Sequence, residues 1–356
     1  MGYTPVPNAD KPAPRRSSVW VNIALFVATL LCTTVAGVAW AGMNPYEITN
    51  WSKGLTYAIL LMTFLSAHEF GHYIAARRHG VDASLPFFIP VPPILLPFGT
   101  MGALIRLRSR IPSRAALFDI GVSGPLAGFV VCVGILIIGF LTLPPIEYLH
   151  AIHPEGLTNN GMYFGDTVLF SFLRSVFTDT ASVGTALGRG VPYMPPMNEI
   201  YHYPFLCVGW FGLFVTALNM LPFGQLDGGH VLYALTGRVQ HVVARIAWWT
   251  LFAMGFFALL GEFAVFLSFP SPSDFVNALQ NSVGPPLQSA MRAAPWLFGF
   301  GTNWLLWALL VRFLIGVYHP PIEDETPLSS GRQLAGWLAI AILILSFSPN
   351  SVYFVQ

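Results

Sequence analysis

Long apolar runs separated by short polar stretches set the pattern of this chain. Seven such runs occur, near residues 19–41, 54–76, 117–143, 204–222, 242–268, 297–318 and 333–348. An α-helix needs about 20 apolar residues to cross a bilayer core of roughly 30 Å. The pattern therefore predicts an all-α polytopic membrane protein with about seven transmembrane helices.

One stretch between the second and third runs departs from helical periodicity. Residues 85–99 contain five prolines, and a helix interior does not tolerate that density. From Ile105 onward, arginine alternates with Ile, Leu and Ser up to Ile111, and a period of two is typical of a strand. We therefore predict a short membrane-associated β-hairpin or strand within residues 85–114.

The alternating strand allows two interpretations. Its arginines could form a surface face that meets lipid phosphates. Alternatively, its edge could pair with an extended peptide, as exposed strand edges do in other proteins. The pattern alone leaves both interpretations open.

Composition agrees with a lipid bilayer as the environment of the chain. Hydrophobic residues make up 54% and charged residues 9% of the sequence, against about 25% charged residues in ordinary soluble domains. The net charge of +1 argues against nucleic acid as a partner. The sequence leaves the oligomeric state open.

The distribution of basic residues predicts an orientation. With the N-terminus in the cytoplasm, 13 of the 17 Lys and Arg residues fall on cytoplasmic segments and 4 on external ones. That bias satisfies the positive-inside rule, which the opposite orientation would break. We therefore expect an integral, multi-pass protein of a prokaryotic cell membrane, with its N-terminus towards the cytoplasm.

The second apolar run carries the pentapeptide His68-Glu69-Phe70-Gly71-His72. Histidines at i and i+4 share one face of a helix, which is the spacing that two metal ligands need, and the glutamate between them is placed to act as general base on water. The alternative is a pair of packing histidines beside an unrelated glutamate. It is weaker in a membrane, because ionisable groups at that depth are costly and usually functional.

A third metal ligand is needed, because catalytic zinc has three protein ligands and one position for water. The best candidate is Asp227, which follows Pro222 and precedes Gly228 and Gly229. These residues permit irregular backbone at the end of an apolar run. The predicted orientation brings Asp227 to the cytoplasmic side, where the histidine pair also lies. Alternatively, Asp227 is a turn or capping residue at the membrane surface.

Together, His68-Glu69-Phe70-Gly71-His72 and Leu226-Asp227-Gly228 resemble the site-2 protease family of intramembrane zinc metalloproteases. The segment from Ser123 to Gly128 is similar to the Gly-Pro-containing motif of the family's intervening span. Asn219 and Pro222 stand where the family's Asn-x-x-Pro precedes the Asp-Gly pair.

The resemblance implies a ligand set and a reaction. His68, His72 and Asp227 would bind Zn²⁺, and Glu69 would be the catalytic base for peptide hydrolysis. The partner would be a transmembrane protein substrate, cut within or near its membrane segment in regulated intramembrane proteolysis, with the active site towards the cytoplasm.

Two further residues are candidates for binding substrate. Asn219 could hold substrate or an oxyanion, although a structural hydrogen bond explains it equally well. Ile105 lies on the predicted strand, and family resemblance favours membrane-associated β-structure beside the zinc.

The rival function is a non-enzymatic metal transporter or metal-dependent scaffold. A transporter should carry more polar residues along a path across the membrane, and it does not explain Glu69.

The predicted organisation has four parts. Residues 1–18 form a disordered cytoplasmic tail, and residues 19–53 form the first span and an external linker. Residues 54–235 form the catalytic membrane core, and residues 236–356 supply additional C-terminal spans.

Within the core, residues 144–203 form a long external region, with a short helix predicted at 168–177. His150, His153 and His202 lie in or beside this region, on the wrong side of the membrane for the predicted zinc site. We assign them no role from the sequence.

Overall fold

The computed structural model describes residues 19–157, 160–178, 193–324 and 326–355. The predicted tail, residues 1–18, lies outside the described residues. The described chain is mostly helical. Its helices are α1 (Val19–Trp40), α2 (Trp51–Arg78), α3 (Arg114–Leu141), α4 (Glu147–Ile152), α5 (Val168–Thr178), α6 (Pro204–Asn219), α7 (Asp227–Thr236), α8 (Val239–Phe266), α9 (Asp274–Ser282), α10 (Gly284–Ala293), α11 (Pro295–Phe298), α12 (Asn303–Leu310) and α13 (Ser330–Ser346).

Each of the seven predicted apolar runs contains a helix. Among the described residues, three helices are long and apolar enough to cross a membrane, namely α1, α3 and α8. Helices α6 and α13 are apolar but shorter, as is the stretch Asn303–Ile315, where α12 continues into a π-helical turn. Helix α2 has 28 residues and carries the polar pentapeptide. Membrane character is therefore supported, whereas the number of seven spans stays a prediction.

Two small antiparallel sheets are present among the described residues, one between neighbouring segments and one between segments far apart in sequence. Strands β1 (Phe87–Pro90) and β2 (Thr100–Leu104) pair between α2 and α3, with Phe87 opposite Leu104. Strands β3 (Gly161–Phe164) and β4 (Val352–Val355) pair in the second sheet. The second sheet ties the region after α4 to the segment after α13.

The regular strand lies earlier than the arginine alternation predicts. Strand β2 ends at Leu104, and beyond it a single bridge joins Ala83 to Leu107. The opposing segment has little room to pair, because it leaves α2 at His79 and soon reaches Pro86, which has no N–H to donate. The position predicted for the strand, from Ile105 onward, is therefore not where the regular ladder forms.

Helices α2 and α3 form the centre of the packing. α2 lies between α1 and α3, and α3 also packs against α6 and α7. α3 begins with a capped end, since the side chain of Ser113 accepts a hydrogen bond from the Ala116 N–H. The side chains of Phe64 on α2 and Trp210 on α6 are fully buried in the same hydrophobic core. The predicted site residues lie where α2, α3, α6 and α7 meet.

Candidate metal centre

Three side chains from two helices converge on one point. Nε2 of His68 and Nε2 of His72 each lie 3.3 Å from Oδ2 of Asp227. The two Nε2 atoms are 3.1 Å apart. Both histidines are buried, and the Asp227 side chain is 15% exposed. The structure thus brings together the three ligands predicted from sequence, although Asp227 is 155 positions beyond His72.

These distances fit a metal centre. Zinc with ligands at about 2.0–2.2 Å in tetrahedral geometry separates its donor atoms by roughly 3.3–3.6 Å. Two imidazoles and a carboxylate are also the donor set of several catalytic zinc sites. The residues present therefore fit a resident zinc ion.

The tautomer of His72 is fixed by the neighbouring helix. Its Nδ1 lies 2.7 Å from the carbonyl oxygen of Ile120 on α3. A carbonyl only accepts, so Nδ1 carries the proton, and Nε2 is the ring nitrogen that can bind a metal. A hydrogen bond of this type orients metal-binding histidines in other proteins.

Small residues on α3 make room for the two imidazoles. A Cβ atom added at Gly124 would collide with the His72 ring, and one at Gly128 would lie 3.3 Å from Nδ1 of His68. On the facing helix, a Cβ at Gly71 would lie 2.6 Å from the Ser123 carbonyl oxygen. The Ser123–Gly128 motif therefore acts as a notch into which the histidine face of α2 fits.

Glycines also place Asp227 at the first turn of α7. Added Cβ atoms at Gly228 and Gly229 would collide with the carbonyl oxygens of Met220 and Phe223. Gly224, which immediately follows Phe223, has φ +39°, a conformation that favours glycine. The chain can therefore fold back after α6 tightly enough to bring Asp227 opposite α2.

The predicted base and the predicted strand meet in the same cavity. Glu69 is buried, with 6% exposure, and Ile105 contributes a backbone hydrogen bond to its carboxylate. The cavity has a volume of about 250 Å³ and is lined by Glu69, Ile105, Asn219 and the three candidate ligands. Ile105 thus lies beside the site even though the regular strand ends one residue earlier.

Asn219 occupies the end of α6 that faces the histidines. Its Nδ2 lies 3.5 Å from Nε2 of His68.

His230 lines the cavity as well, and its Nδ1 is 2.8 Å from Nε2 of His319. The sequence did not pair these two histidines, because 89 residues separate them and neither lies in a recognisable motif.

Comparison with known proteins gives a consistent result. The family model described as peptidase family M50 matches residues 56–261. The chain is 29% identical over 213 residues to the probable zinc metalloprotease EGY2, chloroplastic, of Oryza sativa subsp. indica, a match covering 60% of this chain and 34% of that protein. It is 27% identical over 245 residues to EGY2 of Arabidopsis thaliana, covering 68% of this chain and 39% of that protein.

A third relative is the probable zinc metalloprotease EGY1, chloroplastic, of Oryza sativa subsp. japonica. It is 31% identical over 186 residues, covering 52% of this chain and 28% of that protein. The chain thus spans less than half the length of the curated relatives it matches. No solved structure matches it significantly.

The family match covers more than half of the 356 residues and includes the pentapeptide on α2 and Asp227. The resemblance predicted from those motifs is confirmed, and the chain belongs to peptidase family M50, the site-2 protease family.

Proposed function

We propose that this protein is an intramembrane zinc metalloendopeptidase, with zinc held by His68, His72 and Asp227 and with Glu69 as the catalytic base. It hydrolyses peptide bonds within or near the transmembrane segments of membrane-tethered proteins, as in regulated intramembrane proteolysis. The family assignment and the names of the relatives support peptidase activity and zinc. The rest of the proposal depends on the geometry of the site.

One observation carries the proposal. A buried carboxylate that is not among the three converging ligands lies in the same cavity as those ligands. A site that only holds or passes a metal ion has no use for such a group, whereas hydrolysis requires a base next to the metal.

The residues divide the chemistry between them. When bound, zinc supplies a Lewis acid that activates water and polarises the scissile carbonyl. Glu69 accepts the proton of the attacking water and delivers it to the leaving amine nitrogen. The Ile105 backbone hydrogen bond holds the Glu69 carboxylate in place. Asn219 is placed to donate from Nδ2 to the carbonyl oxygen of the substrate.

The hairpin beside the cavity supports a mode of substrate binding. β1 is covered by α1, where the side chain of Asn22 donates to the carbonyl oxygen of Pro86 at 2.9 Å. Among the described residues, β2 has no strand neighbour on its other side, and Ala103, Leu104 and Ile105 line the cavity. An unwound substrate segment can add there as a further strand, with its backbone extended for cleavage.

The charge bias supports an orientation. We assign the protein to a prokaryotic cell membrane as a multi-pass protein with seven spans, with the N-terminus and the active site towards the cytoplasm. Cleavage then releases a fragment into the cytoplasm.

The decisive experiment is cleavage of a panel of single-span membrane substrates by the purified protein and by Glu69→Gln, with bound zinc quantified in both. We expect Glu69→Gln to keep its zinc and to lose at least about 100-fold in cleavage rate, the usual contribution of a general base. Phe70→Leu, one position away with its side chain 40% exposed, is the matched control and should cleave normally.

Equal cleavage by wild type and Glu69→Gln, on a substrate that wild type cuts, would overturn the base assignment. Absence of zinc at this site in both proteins would overturn the ligand assignment. Zinc retention with zinc flux across vesicles and no cleavage would favour the transporter.

A further inference from the structure

A second cluster of ligand-type side chains lies at the other end of α6. Nε2 of His153 is 3.0 Å from Oε2 of Glu199, and Nε2 of His202 is 3.5 Å from the same oxygen. The two Nε2 atoms are 3.1 Å apart. Among the described residues, this cluster and the family site are the two groups whose donor atoms lie close enough together to hold a metal ion.

The donor atoms match the family site in kind and in spacing. Each cluster has two imidazole Nε2 atoms and one carboxylate oxygen, and all the donor distances lie between 3.0 and 3.5 Å. Tetrahedral zinc separates its donors by roughly 3.3–3.6 Å. The imidazole rings also meet edge to face in both clusters, with centroids 4.8 Å apart for His68 and His72 and 5.1 Å apart for His153 and His202.

Burial argues that this cluster is more than a surface ion pair. The side chains of Glu199 and His202 are 5% and 2% exposed. A cation shared by all three groups would compensate the charge of the buried carboxylate.

The backbone holds two of the ligands in a fixed relation. Glu199 immediately precedes the 3₁₀ turn Ile200–His202, and residues at i and i+3 of a 3₁₀ helix eclipse one another. The phenol of Tyr148 donates to the carbonyl oxygen of His202 at 2.9 Å. His153 comes from the end of α4, so three converging ligands join α4 to the segment that starts α6.

We propose that His153, Glu199 and His202 form a second site for a divalent transition-metal ion of the zinc class, separate from the family site. His202 and Asn219 lie 17 residues apart along α6, which places the two sites about 25 Å apart. A cavity of about 200 Å³ borders His202, one of the three ligands. The cluster contains no further carboxylate to act as a base, so the bound ion has a structural role and clamps α4 to the start of α6.

The test is a count of metal ions on the full chain in nanodiscs. The protein is stripped with a chelator, reloaded with Zn²⁺ and washed, and zinc per chain is measured by mass spectrometry. We expect two equivalents in wild type, one in Asp227→Ala, one in Glu199→Gln and none in the double variant. His150→Ala, an exposed histidine on α4 outside the cluster, is the matched control and should hold two.

Glu199→Gln preserves the size and hydrogen bonding of the side chain, so loss of zinc from a monodisperse sample reports the ligand and not the fold. As a second readout, Co²⁺ should give a d–d absorption band in Asp227→Ala that disappears in Asp227→Ala/Glu199→Gln. One equivalent in wild type, none in Asp227→Ala and an unchanged count in Glu199→Gln would overturn the proposal. None of these readouts depends on cleavage, so failure here and failure of the proposed protease are distinguishable.

Discussion

The two His-His-carboxylate clusters differ in their surroundings and not in their donor atoms. The family site opens into a cavity of about 250 Å³ that also contains Glu69 and the end of β2. The second cluster borders a cavity of about 200 Å³ at His202, where Tyr148 and Tyr201 contact that histidine. The donor set determines that a metal can bind, whereas a spare base and a route for a peptide determine whether chemistry can follow.

The helix between the clusters also bears on the transporter alternative. α6 carries Trp210 and Leu213, both fully buried in an apolar core. A dehydrated ion moving between the sites would pass through that core at high cost. The arrangement favours two independent sites over one pathway.

The notch on α3 contacts the family site and not the second cluster. A substitution in the notch should therefore give the largest difference in zinc binding between the two sites. In Gly124→Ala, the new Cβ collides with the His72 ring, and we expect zinc affinity at the family site to fall by about 10–100-fold, as for other changes that misplace ligands. Zinc titration by calorimetry checks this, with cleavage falling in parallel and the second equivalent still bound.

The matched control is Gly134→Ala on the same helix, where an added Cβ meets nothing within 4 Å. It should bind zinc normally and gain up to about 1 kcal/mol in helix stability. Equal zinc affinity in the two variants would show that the notch does not position His72.

A substitution at Ile105 tests a second feature of the family site that the other cluster lacks, the catalytic base Glu69 and its backbone hydrogen bond. Ile105→Pro removes the N–H that serves Glu69, and we expect cleavage to fall about tenfold or more, because a hydrogen bond to a charged group is worth roughly 1.5–3 kcal/mol. Zinc content should stay at two equivalents. Ile105→Val keeps the N–H and should retain near-normal rates; equal cleavage by the two variants would show that this N–H does not support Glu69.

The clamp role of the second cluster predicts a stability effect. With free zinc at ten times the dissociation constant, wild type should gain about 1.4 kcal/mol from this site, seen as a rise of a few degrees in the unfolding midpoint. Glu199→Gln should lack that part of the zinc-dependent rise, whereas His150→Ala should keep it. A full rise in Glu199→Gln would contradict the clamp.

Asn219→Ala should have the smallest effect. Its Nδ2 is 3.5 Å from His68 Nε2, a long contact. Loss of a neutral hydrogen bond worth about 1 kcal/mol predicts a roughly fivefold lower kcat. An unchanged zinc affinity would assign Asn219 to the substrate carbonyl, and a lower one would assign it to holding His68.

The family site could be predicted because most of its residues lie close together in the sequence. His68, Glu69 and His72 lie within one helical turn and a half, so spacing alone places them on one face. Asp227 required a further step, the depth at which its segment ends. The notch explains why Gly124 stands where it does, but the sequence could not reveal it, since the collision depends on the distance between two helices.

The second cluster and the hairpin show where local signals fail. His153 is 46 residues from Glu199, and only the pair Glu199-x-x-His202 hints at a shared face. The strand was expected from Ile105 onward, yet β1 forms within the proline-rich stretch and pairs with β2 before that point. Pairing there depends on which backbone segment lies opposite, and a period of two in one strand does not encode its partner.

The notch between α2 and α3 has a consequence for motion. Gly71 against Ser123, and His72 against Gly124, leave no clearance for one helix to slide or roll on the other. The side of the cavity formed by α2, which carries the two histidine ligands, is therefore more rigid than the other sides. Any widening that admits a polypeptide must come from the opposite side, where β2 and the turn leading into α7 border the same space. The gate of this protein is thus expected at the hairpin and not between its most tightly packed helices.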